Sequence, residues 1–81
     1  MIVKLLVFSE AKEIAGSEAV ELTLSEGATV GQLKQAVVEL HPAMAKLIEK
    51  SSISVDRKYA QDDQPLHDGA EIGLIPPVSG G

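Results

Sequence analysis

The chemistry that this sequence can offer is concentrated at its C-terminal end, in the stretch EIGLIPPVSGG. Two prolines without a backbone N–H end the preceding strand and favour an extended path, and the two glycines carry no side chain to hinder attack on the terminal carbonyl. Six residues at about 3.3 Å each reach roughly 20 Å. We therefore expect a narrow arm that carries its reacting group, the Gly81 carboxylate, into a channel of another protein. The arm consists of Pro76, Pro77, Val78, Ser79, Gly80 and Gly81.

The side chains offer no comparable reactive group. His41 ends a predicted helix and His67 lies in an acidic turn, and without cysteines or a His-x-x-x-His spacing they do not predict a metal site. Asp62 and Asp63 adjoin each other in a predicted loop, where we interpret them as solvated. Ser79 lacks the preceding glycine of a serine nucleophile elbow. The side chains therefore predict neither a metal site nor catalysis of their own.

Composition bounds the class of protein. A chain of 81 residues with 44% hydrophobic content predicts one folded domain with a modest core. The net charge of −5 argues against nucleic-acid binding, because phosphate contacts need Lys and Arg. Residues 59–81 contain four acidic side chains but no Lys or Arg, which favours a basic protein partner. No apolar run approaches the ~18 residues of a membrane span. The lack of cysteine fits a reducing compartment, and we expect a cytoplasmic protein.

Hydrophobic periodicity predicts the secondary structure. The best helix covers residues 29–42, where Thr29 and Gln32 form a capping box and the dipeptide His41-Pro42 ends the helix. A shorter helical turn covers residues 9–16, with Ser9 as its cap and Gly16 at its end. A second short helix begins at Pro42. The predicted strands are residues 2–8, 17–27 including a final turn, 53–60 and 71–76, with a two-residue bridge at 65–66.

One main helix and four to five strands predict an α+β fold. The helix must cover one face of a mixed sheet, and the last strand, like the first, is apolar enough to lie beside it in the centre. This is the β-grasp, or ubiquitin-like, arrangement. We expect a β-grasp domain at residues 1–75 and a flexible, extended C-terminal tail at residues 76–81.

A single helix leaves the other face of the sheet uncovered. In the first strand, Lys4 is unsuited to the core, so the helix side should receive Val3, Leu5 and Val7. We then expect Leu6, Phe8 and Ile75 on the outer face, near the tail. Scattered surface hydrophobes need no explanation, but a contiguous apolar patch usually marks an interface. We interpret these three residues as a partner-binding patch.

The sequence resembles the small subunits of molybdopterin synthase, a family of ubiquitin-like sulfur carriers. The resemblance covers essentially the whole chain. It is carried by the opening IVKLLVF, the EAKEIAG turn and the ending DGAEIGLIPPVSGG, of which the ending is the most specific part.

The resemblance implies a reaction sequence. A ubiquitin-activating-type enzyme, using ATP in trans, would adenylate Gly81, and a separate donor would convert the adenylate to a thiocarboxylate. The tail would then enter the large synthase subunit and donate its sulfur to cyclic pyranopterin monophosphate, which becomes the dithiolene of molybdopterin. The family assembles as a heterotetramer. The chain itself would bind no cofactor and would act as the sulfur-donor subunit of a sulfurtransferase.

Two kinds of alternative stay open at this point. The chain could be a ubiquitin-like sulfur carrier for thiazole synthesis or tRNA thiolation, or a ubiquitin-like protein modifier. It could also be a plain interaction module with an unreactive tail. The two prolines before the tail favour the molybdopterin branch.

Overall fold

The computed structural model of this chain describes residues 1–77, so our expectations for Val78, Ser79, Gly80 and Gly81 lie outside the described residues. Within residues 1–77 the chain forms five strands, three α-helices and one 3₁₀ turn. The strands are β1 (Ile2–Leu6), β2 (Ala19–Thr23), β3 (Ser52–Val55), β4 (Lys58–Ala60) and β5 (Glu71–Ile75). The helical elements are α1 (Ser9–Ala15), α2 (Val30–Leu40), the 3₁₀ turn (Pro42–Met44) and α3 (Ala45–Lys50).

All five strands belong to one mixed sheet with the order β2-β1-β5-β3-β4. The two central strands, β1 and β5, run parallel, with Leu5 opposite Ile72 and Leu6 opposite Gly73. The other neighbours are antiparallel. The predicted β-grasp arrangement is therefore confirmed, including the last strand beside the first. Because β5 is central, the strand that precedes the tail is held on both sides.

The core lies between one face of this sheet and the helices. Val3, Leu5 and Val7 are buried on the helix side, as the sequence predicts. Ile72 and Leu74 of β5 face the same core and are 0% and 2% exposed. Alternation along the two central strands thus confirms which face the helices cover, and it leaves the other face to solvent.

The main helix α2 begins with the predicted capping box. The Thr29 hydroxyl accepts the Gln32 backbone N–H, and the Gln32 side chain accepts the Thr29 N–H at 2.8 Å. The spacing of its apolar residues predicts one buried stripe, consisting of Val30, Leu33, Val37 and Leu40. The first three are buried, but Leu40 is 56% exposed, so its placement in the stripe was wrong. The helix ends at Leu40, and the core position beyond it is filled by Met44 from the following 3₁₀ turn.

The single strand predicted for residues 53–60 is a hairpin. β3 and β4 pair antiparallel across a two-residue turn, Asp56-Arg57, in which both residues have positive φ (50° and 72°). This is the type I′ geometry that suits the twist of a hairpin. The turn lacks the glycine that usually announces type I′, so the sequence pattern gave too little signal to divide the segment.

The predicted cap of α1 was also wrong. The helix begins at Ser9, and its N-cap position is Phe8, whose side chain makes no capping hydrogen bond. Ser9 has φ +49°, a left-handed conformation, so its hydroxyl does not play the expected role. The helix end is as predicted, because Gly16 adopts φ 76° and donates its N–H to the Lys12 carbonyl.

Candidate functional site

The tail leaves the molecule from the end of its central strand. Leu74, near the end of β5, is buried, Ile75 is half-buried and pairs with Ser52, and the next two residues, Pro76 and Pro77, are exposed. Neither proline can donate to a ladder, so the sheet ends there. The tail root, defined as Ile75, Pro76 and Pro77, is therefore fixed to the core on one side and open to solvent on the other.

The three residues of the predicted patch, Leu6, Phe8 and Ile75, lie around this root and differ in their exposure to solvent. Phe8 is 52% exposed, whereas Leu6 and Ile75 are half-buried. Leu6 and Phe8 line one shallow depression together, and Phe8 also lines a groove with the two prolines. Gly73 of β5 pairs with Leu6 of the neighbouring strand β1, and Ile75 lies two residues further along β5 on the same face of the sheet. The structure thus brings the three predicted residues to one end of the sheet, and Phe8 is the most prominent of them.

Gly73 shapes this part of the outer face, a role that we did not anticipate from the sequence. A Cβ at this position would lie 2.7 Å from Ser54 Oγ and 3.6 Å from Ile75 Cδ1. The missing side chain therefore leaves room for Ser54 Oγ, whereas Ile75 Cδ1 is at an ordinary contact distance. A glycine inside an otherwise apolar strand is the signal that could have revealed this close approach.

A strained turn aims Phe8 outward. Phe8 itself is extended (φ −133°, ψ 161°), and the next residue, Ser9, has the left-handed φ of +49°. The Phe8 carbonyl accepts the backbone N–H groups of Ala11 and Lys12 at 3.1 and 3.3 Å, which fixes the start of α1. A non-glycine residue in this region costs on the order of 1–3 kcal/mol. The chain tolerates that cost beside the tail root, where it sets the position of the exposed aromatic ring.

The groove at the tail root is built by three separated segments. Its volume is about 310 Å³. Its apolar wall consists of Phe8, Ala11, Leu47, Leu74, Pro76 and Pro77. Because α1, α3 and β5 contribute to it from distant parts of the sequence, no local pattern could have predicted it. We call it the tail-root groove.

A short polar contact between two titratable side chains lies at the opposite end of β5. His67 Nε2 is 2.6 Å from Asp56 Oδ2, and His67 Nδ1 is 3.0 Å from the Asp68 carbonyl oxygen. Asp56 Oδ1 accepts the N–H of Glu71, the first residue of β5, at 3.1 Å. The hydrogen bond to Asp56 and, next, that to Asp68 raise the pKa of His67, while the hydrogen bonds from His67 and then Glu71 lower the pKa of Asp56. The pair lies at the first residue of β5, whereas the tail root begins at the last residue of that strand.

The outer face between these two ends carries charge. Lys4 in β1 lies opposite Glu21 of β2 on one side and Glu71 of β5 on the other. Acidic side chains thus flank Lys4 on both sides in this row.

Across residues 1–77, no three His, Cys, Asp or Glu side chains are grouped so that they could hold a metal ion. In the same residues, no helix has the length and apolar character needed to cross a membrane.

The whole chain is similar to proteins of known family. It is 32% identical over 83 residues to the molybdopterin synthase sulfur carrier subunit of Chlamydomonas reinhardtii, with all of both chains covered. It is 31% identical over 83 residues to small archaeal modifier protein 1 of Haloferax volcanii, covering 93% of this chain and 95% of that one. The crystal structure of the H. volcanii modifier superposes with a TM-score of 0.87 at 26% identity, covering 95% and 98% of the two chains.

The match to a family model covers the tail as well as the fold. The model of the ThiS family matches residues 5–81, from within β1 through the last glycine. With the β-grasp sheet and the relatives above, this match places the chain in a known group of small β-grasp proteins. The chain belongs to the ThiS family.

Proposed function

We propose that this protein is the sulfur carrier subunit of a molybdopterin synthase and acts in molybdenum cofactor biosynthesis. The observation that carries the proposal is the tail root, where a buried central strand ends in two exposed prolines that lead into Val78-Ser79-Gly80-Gly81. Full-length similarity to a sulfur carrier subunit supports it, and the family match that extends to Gly81 supports the role of the tail.

The reacting group in this proposal is the Gly81 carboxylate. A carboxylate is a poor electrophile, so an activating enzyme first joins it to the α-phosphate of ATP and pyrophosphate leaves. A sulfur nucleophile from a donor protein then attacks the acyl-adenylate carbonyl and AMP departs. Transfer from a donor persulfide gives an acyl disulfide, and a thiol then reduces its S–S bond, which releases the thiocarboxylate and leaves a disulfide on the donor side. The thiocarboxylate sulfur is a far better nucleophile than carboxylate oxygen. Glycine suits both steps, because no Cβ crowds the carbonyl.

The carrier then delivers sulfur within a complex. We propose that the tail enters the large subunit of the synthase, where the thiocarboxylate sulfur attacks cyclic pyranopterin monophosphate, and that two transfers build the dithiolene. Two small subunits on a dimer of large subunits would form the heterotetramer. The acidic outer face and the Leu6, Phe8 and Ile75 patch would dock the carrier. Basic groups for phosphate binding would belong to the large subunit.

The decisive experiment measures the intact mass of the carrier after incubation with ATP, the activating enzyme and a sulfur donor. Thiocarboxylation replaces one oxygen by sulfur, so the mass should rise by the difference between the two atoms. Adding one residue after Gly81 should abolish the gain and leave the unfolding transition unchanged. Pterin conversion by the loaded carrier with the large subunit tests the delivery step. No mass gain, or full synthase activity after deletion of Gly81, would contradict the proposal.

Protein modification is the second candidate, and the similarity to an archaeal modifier protein favours it. The same activated Gly81 would then be attacked by a lysine amine and form an isopeptide bond with loss of AMP. Digestion of cell proteins with trypsin followed by mass spectrometry distinguishes the two. A modifier leaves lysines that carry a remnant of this chain's C-terminus, and a dedicated sulfur carrier leaves none.

A further inference from the structure

We infer that the tail-root groove receives a large apolar side chain from the protein that takes up the tail, so that this partner holds the root on two sides. The inference rests on the proposed function, because it assumes that the tail enters another protein. One contact surface is the patch of Leu6, Phe8 and Ile75 on the outer face. The groove is a second surface, formed on the helix side of the sheet by α1, α3 and β5.

The groove is continuous with the tail. Pro76 and Pro77 form part of its wall, and Phe8 belongs both to the groove and to the depression that contains Leu6. A protein that encloses the chain beyond Pro77 must therefore reach the mouth of this groove. If water filled the groove in the complex, its apolar wall would contribute nothing to binding. Burial of apolar area near the centre of an interface usually supplies much of the binding energy.

The lining indicates what kind of group fits. Sites for small molecules combine an apolar wall with several convergent polar groups. Here the polar lining consists of Ser9, Glu10 and Ser51, and the Ser51 hydroxyl already donates to the Leu47 carbonyl at 2.6 Å. Such a wall suits an aliphatic or aromatic side chain of a protein better than a polar ligand.

Charge at the groove refines the expected partner. Glu10 is the charged residue that lines the groove, and it lies in the first turn of α1 with an exposed side chain. The protein as a whole carries a net charge of −5. A partner whose apolar side chain is flanked by Lys or Arg would match this surface, because opposite charges at the edge of an interface favour association.

The first test compares two helical leucines. Leu47 lines the groove and is half-buried, whereas Leu40 lies outside it on α2 and is 56% exposed. We expect Leu47→Glu to weaken binding to the cognate molybdopterin synthase large subunit, measured by calorimetry, by about tenfold or more. Leu40→Glu should leave the affinity within about twofold of wild type. Urea unfolding of both variants shows whether each is folded.

The second test does not alter the apolar wall. The chain contains no cysteine, so a single introduced thiol reports on one position. Glu10→Cys places a thiol at the groove, and Glu39→Cys places one at an exposed position of α2. Saturating large subunit should slow alkylation of Glu10→Cys by roughly tenfold or more and leave Glu39→Cys unchanged, because access controls thiol reactivity.

The outcomes separate this inference from the function on which it rests. If the wild-type chain gains the thiocarboxylate and binds the large subunit, but Leu47→Glu binds equally well or Glu10→Cys stays as reactive as before, the groove is empty in the complex and the inference is overturned alone. If the wild-type chain neither gains sulfur nor binds the large subunit, the proposed function and the inference fall together.

Discussion

His67 and Asp56 join the β3–β4 turn to the segment that precedes β5, with 2.6 Å between His67 Nε2 and Asp56 Oδ2. The other ring nitrogen of His67 faces the Asp68 carbonyl oxygen at 3.0 Å. A carbonyl and a carboxylate both accept hydrogen bonds, so the ring satisfies both contacts only when both nitrogens carry protons. The geometry therefore favours the imidazolium form of His67.

This contact should make stability depend on pH in a bounded window. The pKa of His67 is raised from 6.5, so its contribution is complete below 6.5 and is lost as pH rises through the raised value. The pKa of Asp56 is lowered from 3.8, so its contribution is complete above 3.8 and is lost as pH falls through the lowered value. In urea unfolding, the stability lost in His67→Ala should be largest between these limits and should shrink as pH rises.

The double variant provides the control for this prediction. Asp56 supplies the largest cause of the raised pKa of His67. In an Asp56→Asn background, His67→Ala should therefore lose most of its dependence on pH. A stability loss that is the same at every pH in the wild-type background would show that the pair contributes through packing and not through charge.

Gly73→Ala should destabilise the protein through Ser54. The added Cβ would lie 2.7 Å from Ser54 Oγ, and overpacking of this kind costs roughly 1–3 kcal/mol. Replacing glycine by alanine recovers about 0.4–1 kcal/mol from the unfolded chain. Because Ser54 Oγ ends a short side chain that can rotate about χ1, we expect a net loss of at most about 1 kcal/mol in urea unfolding.

Ser54→Ala should rescue this loss. It removes the clashing oxygen, and Ser54 Cβ itself would lie 4.0 Å from the new methyl group, an ordinary contact distance. Gly73→Ala should therefore be neutral or stabilising in that background. Additive effects of the two changes would mean that the serine hydroxyl rotates away without cost.

Thr29→Ala should weaken the start of α2. It removes the acceptor for the Gln32 backbone N–H, and the loss of such a cap typically costs about 1 kcal/mol. Thr29→Ser keeps the hydroxyl and should retain most of the stability in the same denaturation measurement. Equal losses in the two variants would show that the methyl group of Thr29, and not its cap, matters.

Phe8→Ala should separate binding from folding. The ring is 52% exposed, so we expect a small loss of stability, about 1 kcal/mol or less. Binding to the large subunit should fall by about tenfold or more, because Phe8 belongs both to the patch and to the groove. Leu40→Ala is the matched control, since Leu40 is 56% exposed on α2, outside both the patch and the groove. Unfolding of Phe8→Ala would show that the ring supports the core.

Much of the fold could be predicted because it depends on local and periodic signals. The alternation in β1 determined which of its residues meet the helix, and the Thr29 and Gln32 pair marked the start of α2. The hairpin turn at Asp56 and Arg57 could not be recognised, because neither residue is the glycine that positive φ favours.

The candidate site divides in the same way. Its covalent end, the two prolines and the two glycines, is a linear motif that can be read directly from the sequence. The exposure of Phe8 was predicted from alternation along residues 2–8, but Phe8 lies beyond the end of β1, and the turn at Ser9 sets its position. The tail-root groove could not be predicted, because Ala11 and Leu47 come from helices that meet only through packing.

The sequence by itself determined that the last strand lies beside the first, which face of these strands meets the core, and the slender C-terminal motif, because each depends on residue type and short-range spacing. The tertiary structure decided the rest. It decided that His67 contacts Asp56 and that Ser54 packs against Gly73. It also decided that Leu47 lies beside the tail root. These contacts join residues far apart in the chain, and their geometry depends on how the whole core packs.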